Sequence, residues 1–129
     1  LIAEDNELNM EIAEFMLQNA GATVIKASDG QDAVDRFVES EPGQIDIILM
    51  DIMMPVMDGL MATGRIRTLN RPDAQTIPII AMTANAFMED RIQALNAGMD
   101  EHLTKPLESA VLIRTIAEFV RKNGSEKRS

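Results

Sequence analysis

Short apolar runs alternate along this chain with longer amphipathic stretches, and that alternation restricts its fold more than any other feature. A strand buried on both faces reads as a continuous run of branched apolar residues, whereas a helix lying on a sheet repeats its apolar positions every three to four residues. The runs fall at 1–3, 23–27, 45–50, 78–82 and 102–104. Strict alternation with helical stretches implies a parallel sheet covered on both faces, a three-layer α/β sandwich. Right-handed crossovers then favour the flavodoxin-like, doubly wound strand order 2-1-3-4-5 for five strands and five helices.

The helical stretches have readable ends. The first starts near Asn6, places Leu8, Ile12, Phe15 and Met16 inward, and stops before Gly21, which suits a C-terminal cap. The second starts near Gly30 and buries Ala33, Val34, Phe37 and Val38; the third starts at Gly59 with Leu60, Ile66 and Leu69 inward. A fourth runs from about Ala86 with Ile92 and Leu95 inward and stops at Gly98. The last opens near Glu108, carries Leu112, Ile116 and Phe119, and frays into a polar stretch. The expected division is one domain over 1–123 followed by a polar tail, 124–129.

Bulk properties narrow the function. A formal charge of -9, from 21 acids against 12 bases, disfavours binding to the nucleic-acid backbone and suits cations or basic surfaces. The absence of cysteine excludes disulfides, thiolate metal sites and thiol catalysis, and fits a cytoplasmic setting. A single histidine, His102, excludes a multi-histidine metal site. No apolar run approaches the ~20 residues that span a bilayer, so no membrane contact is expected of this domain. Residues 1–9 include Glu4, Asp5 and Glu7 and no basic run, unlike a signal peptide.

In the expected strand order, strands one and three flank the crevice where open α/β sheets bind ligands, at their carboxyl ends. Those ends carry Glu4 and Asp5, and Asp51; the neighbouring strand ends supply Thr83 and Lys105. Three close carboxylates repel one another unless a cation shares them, and an oxygen-loving ion such as magnesium relieves the strain. Lys105 and the Thr83 hydroxyl would hold phosphoryl oxygens, leaving Asp51 to form an acyl phosphate.

At these positions the chain resembles the receiver domain of two-component response regulators, over essentially its whole length. The motifs are AEDN at 3–6, LMD with MPVMDG within 49–59, MTA at 82–84 and LTKP at 103–106. The resemblance implies that Asp51 is the phosphoacceptor and that Glu4 and Asp5 organise magnesium with the main-chain carbonyl of Met53. It further implies that Thr83 and Lys105 contact the phosphoryl group, that the bond before Pro106 is cis, and that 55–59 closes the site. The donor would be a histidine kinase or a histidine phosphotransfer domain, docking beside the first helix near Asn9 and Ala13.

His102 is not expected to carry phosphate. It falls at the family's conformational switch position, three residues before the lysine, where Tyr or Phe is frequent, and this departure weakens an aromatic switch. Met50 is expected in the core, Met53 along the route of water or a partner to the phosphoryl group, and Asp58 at a helix start. EDNELN, MTANAF and GMDEHLTKP resemble receivers attached to hybrid histidine kinases rather than those fused to DNA-binding domains. The abrupt start in strand one and the lack of an effector after residue 123 suggest a piece of a longer hybrid kinase, possessing no kinase activity itself but promoting its own Asp phosphorylation and dephosphorylation.

Two other chemistries share parts of this pattern. A haloacid dehalogenase-type phosphatase also uses a strand-end Asp, but wants a second Asp where Met53 stands. A flavodoxin-like cofactor binder needs a phosphate-cradling loop after strand one, where EDNELN has no glycine and would repel phosphate. A degenerate receiver serving only as an interaction module is disfavoured by the complete set of acids, hydroxyl and lysine.

Overall fold

The computed structural model describes the backbone of residues 1–84 and 88–128, and side chains over 1–84 and 91–122. Five strands form one parallel sheet, β1 (Ile2–Ala3), β2 (Lys26–Ala27), β3 (Ile48–Asp51), β4 (Ile79–Thr83) and β5 (Glu101–Thr104), in the order β2-β1-β3-β4-β5. Helices α1 (Glu7–Asn19), α2 (Gly30–Glu39), α3 (Gly59–Arg67), α4 (Met88–Ala97) and α5 (Ser109–Arg128) alternate with them. This is the expected doubly wound sandwich. Only two residues of the expected second strand pair in the sheet, and Asp51 is itself the last residue of β3.

Strand side chains alternate between two cores, because successive residues of a strand face opposite sides of the sheet. Ala3, Ile48, Met50, Ile79 and Ala81 pack under α2, α3 and α4 against Phe37, Ala62, Ile66 and Ala94. Ile2, Leu49, Ile80, Met82 and Leu103 face Met10, Ala13 and Leu17 of α1 and Leu112 of α5. Met50 is fully buried, as expected.

Several helix faces differ from the sequence expectation. Leu8, Ile12 and Phe15 of α1 point to solvent, Phe15 being 67% exposed, while Met10, Ala13 and Leu17 meet the sheet. The helix carries apolar residues on opposite arcs. Asn6 caps it only two residues after the buried Glu4, its side chain accepting from the Asn9 N–H at 3.0 Å, so the entry is tight and the arc centred on small Ala13 faces inward. Ile92 and Leu95 of α4 and Val38 of α2 are likewise exposed, since Ala94, Ala33, Val34 and Phe37 already fill the contact with the sheet. The expected start of α4 at Ala86 lies outside the described residues. Helical backbone in α5 runs to Arg128, past the expected fraying point.

Caps follow the sequence closely. Asp58 caps α3, accepting from the Met61 N–H at 2.8 Å, and Gly21 and Gly98 follow α1 and α4 with φ of 91° and 106°. Two arginines pin the amino-terminal edge of the sheet. Arg67 donates to the carbonyls of Gly98, Ala74 and Ile77 at 3.0, 3.1 and 2.7 Å and to Asp100 Oδ2 at 3.0 Å. Arg71 forks onto Asp73 at 2.6 and 3.0 Å, donates to Phe37 O at 2.6 Å and stacks 4.2 Å from the Phe37 ring centroid.

Candidate functional site

The carboxyl ends of β1, β3, β4 and β5 meet at the opposite edge, and the ladder fixes their spacing. Ile52 N–H donates to Met82 O at 3.2 Å and Lys105 N–H to Thr83 O at 2.8 Å, so Thr83 lies on the rung between Asp51 and Lys105. Glu4 is tied to the neighbouring strand by its N–H, which reaches Ala27 O at 3.1 Å. Glu4, Asp51 and Thr83 are buried and Asp5 is exposed.

Lys105 is the hub. Its Nζ donates to Glu4 Oε1 at 2.5 Å and to Asp51 Oδ2 at 3.0 Å, while Asp51 Oδ1 accepts the Met53 N–H at 3.2 Å. Burial pulls the ammonium down, but its bonds to Glu4 and Asp51 outweigh that loss and hold it above the usual lysine range. Burial, followed by the adjacent Asp51, pushes the Glu4 carboxyl from 4.5 up to about 7 despite the lysine. With both carboxyls ionised, the trio would carry more negative charge than a single lysine balances, and burial makes that state costly.

The donor set fits a hard dication. One carboxylate oxygen from each of Glu4, Asp5 and Asp51 lies within 4.8 Å of the others, and Glu4 Oε2 is buried without a hydrogen-bond partner. An unpartnered buried carboxylate oxygen is costly, and a cation beside it removes the cost.

The loop from Ile52 to Asp58 frames the crevice. Met57 N–H donates to Pro55 O at 2.7 Å across Val56, whose φ is 66°, a γ-turn that strains a branched residue. Met57 O then accepts the Gly30 N–H at 3.0 Å, joining the loop to the start of α2. Gly59 N–H donates to Ile52 O at 2.9 Å, and a Cβ at Gly59 would sit 2.2 Å from Asp51 O. Only glycine lets α3 begin this close to the acid. Met53 is 78% exposed.

On the far side, the Lys105–Pro106 bond is cis. A cavity of about 70 Å³ runs from Glu4, Lys105, Pro106 and Leu107 to Asn9 and Ile12 of α1. His102, on β5, places Nδ1 3.3 Å from Glu101 Oε1. Sequence reasoning named the acids, Thr83 and Lys105 that the structure gathers at this edge, but it missed the outward apolar face of α1, and Ala13, expected on the docking surface, is buried. Leu8, Ile12 and Phe15 recur at helical spacing opposite Met10, Ala13 and Leu17, and that double periodicity was the available signal.

Comparison with known proteins agrees with this geometry. The hybrid signal transduction histidine kinase I of Dictyostelium discoideum is 39% identical over 131 residues, covering 100% of this chain and 8% of the kinase. The aerobic respiration control sensor protein ArcB of Escherichia coli is 38% identical over 119 residues, covering 92% of this chain and 15% of the sensor. The chain therefore spans a small part of these relatives. A crystal structure of the receiver domain of a sensor histidine kinase from Pseudomonas aeruginosa, with magnesium coordinated in its active-site cleft, superposes with a TM-score of 0.83 at 39% identity. That match covers 92% of this chain and 93% of the other. The family model for the response regulator receiver domain matches residues 1–117, and neither the phosphatase nor the degenerate-receiver alternative gains support. The shared lysine, the buried acids and this match lead to one assignment: the chain belongs to the response regulator receiver domain family.

Proposed function

We propose that this receiver domain accepts a phosphoryl group from a phosphohistidine onto Asp51. The observation that carries the reading is the lysine divided between Glu4 and Asp51, beside an unpartnered Glu4 oxygen. The Asp51 carboxylate is oriented by the Met53 N–H on one oxygen and by Lys105 on the other, so it meets an incoming phosphorus with a fixed lone pair. The Asp51 O–P bond forms as the imidazole N–P bond breaks, and the imidazole keeps that electron pair. Lys105 then turns from the carboxylate to a phosphoryl oxygen, and the Thr83 hydroxyl donates to another.

Glu4, Asp5, Asp51 and the Met53 carbonyl would hold magnesium, which when bound supplies charge neutralisation at the phosphoryl oxygens. Inward movement of Thr83 drives the response, with His102 as a weaker switch than an aromatic ring. The segment 83–88, where that response is expected to concentrate, includes residues 85–87, which lie outside the described ones. The donor, a histidine kinase or phosphotransfer domain, docks on Leu8, Ile12 and Phe15, an exposed apolar patch bordering the cavity that leads to Lys105. We place the domain in the cytoplasm, as part of a hybrid kinase, on its likeness to histidine kinase receivers.

Acetyl phosphate with magnesium should add one phosphoryl group to the intact mass, and Asp51→Asn should abolish the gain. Labelling of Asp51→Asn at the level of the unaltered chain would overturn the assignment.

A further inference from the structure

Methionine is abundant beside the phosphoacceptor, and its exposure is uneven. Met50, Met54, Met57, Met82 and Met99 are buried, whereas Met53 is 78% and Met61 55% exposed. Thioether oxidation follows access, so among the described methionines these two sulfurs meet a dissolved oxidant first. Met53 differs from Met61 in one respect that bears on chemistry: its own N–H is bonded to Asp51 Oδ1 at 3.2 Å, while the Met61 N–H is taken by Asp58. The main chain of residue 53 is therefore bonded to the carboxylate, which puts its exposed side chain two residues from Asp51.

We propose that Met53 is a peroxide-sensitive modification site and that its sulfoxide shortens the life of the phosphoryl group on Asp51. The sulfur lone pair attacks one oxygen of hydrogen peroxide, the O–O bond breaks, and the departing hydroxide takes the proton from the transferred hydroxyl. Sulfur is oxidised by two electrons, peroxide is reduced to water, and an S=O bond remains. An apolar chain becomes a polar one with a strong acceptor. At an exposed position two residues from the acyl phosphate, that acceptor orders water where the thioether repelled it, and water is the reagent that hydrolyses the acyl phosphate. The inference rests on the phosphoacceptor reading for its consequence, though not for the oxidation.

The test treats the chain with dilute hydrogen peroxide, maps oxygen incorporation by peptide mass spectrometry, then labels Asp51 with acetyl phosphate and follows loss of the phosphoryl group. Met53 should take up oxygen ahead of the buried methionines, and the lifetime should fall by about twofold or more, a change that a small shift in barrier produces. The ratio of oxidised to untreated lifetimes should return to unity in Met53→Leu, whatever that variant's own lifetime, and should persist in Met61→Leu. Equal oxidation of buried and exposed methionines overturns the site. A labelled chain whose lifetime peroxide leaves unchanged overturns its consequence alone. Failure of the untreated chain to label overturns the phosphoacceptor reading and the consequence together.

Discussion

Asp73 and Glu4 are both buried acids beside a base, yet their ionisation is pushed in opposite directions. Burial raises the Asp73 carboxyl, but bonds from Arg71 and from the Gly43 N–H, at 3.1 Å, outweigh it and hold Asp73 below its ordinary 3.8. Glu4 gains one bond from Lys105, leaves its second oxygen without a partner, and is raised. A satisfied pair builds structure, and an unsatisfied one leaves room for a ligand. The depressed Asp73 pKa means that the native state binds fewer protons than the unfolded chain. Its stabilising contribution is therefore full above 3.8 and is lost as pH falls through the lower native value. Asp73→Asn should lower stability at neutral pH by about 3 kcal/mol, because it leaves a buried guanidinium without its counter-charge. It should also flatten the acid limb of the denaturation profile. Urea midpoints between neutral pH and pH values below the ordinary carboxylate range would check both effects.

Among the elements, α1 separates what the sequence makes legible from what it hides. Strand ends could be read because buried parallel strands are continuous apolar runs, and Asp51, Thr83 and Lys105 follow such runs directly. Caps could be read at Asn6, Asp58, Gly21 and Gly98 because each satisfies a local backbone need. The inward face of α1 could not, because apolar residues lie on both of its sides and the choice between them depends on how the helix enters from β1. Strand β2 is shorter than its composition predicts for a related reason: 23–27 has the composition of a strand, but pairing with β1 is confined to Lys26 and Ala27. The outward face of α1 carries a test of its own. Phe15→Ala should leave thermal stability and labelling by acetyl phosphate intact, since the ring is largely exposed. Transfer from a phosphohistidine protein should slow by about tenfold if Phe15 anchors the partner. Measuring initial rates with both donors decides the matter, and equal slowing would remove α1 as the docking surface.

At the scale of the whole molecule, the two edges of the sheet are held by different means. The amino-terminal edge is locked by the fixed fork of Arg67, whose acceptors come from the connection after α3, the turn after α4 and Asp100 before β5. Asp100 adds its own bonds, accepting the Ile79 N–H at 2.9 Å and donating its N–H to Ile79 O at 2.8 Å. At the carboxyl edge, beyond the backbone ladder, the side-chain link between strand ends is the Lys105 ammonium donating to Glu4 and Asp51. Hydrogen exchange should find the Ile79 and Asp100 amides among the slowest of the β4 and β5 region. Arg67→Lys should speed them while leaving the Ile52 amide little changed, because a point charge cannot reproduce the fork. The asymmetry gives the domain the mechanics of a cantilever. Displacement of β4 and β5 should then be smallest beside Arg67 and Asp100 and grow toward Thr83 and Lys105, so a charge added at Asp51 acts beside the ends that lie farthest from the clamp.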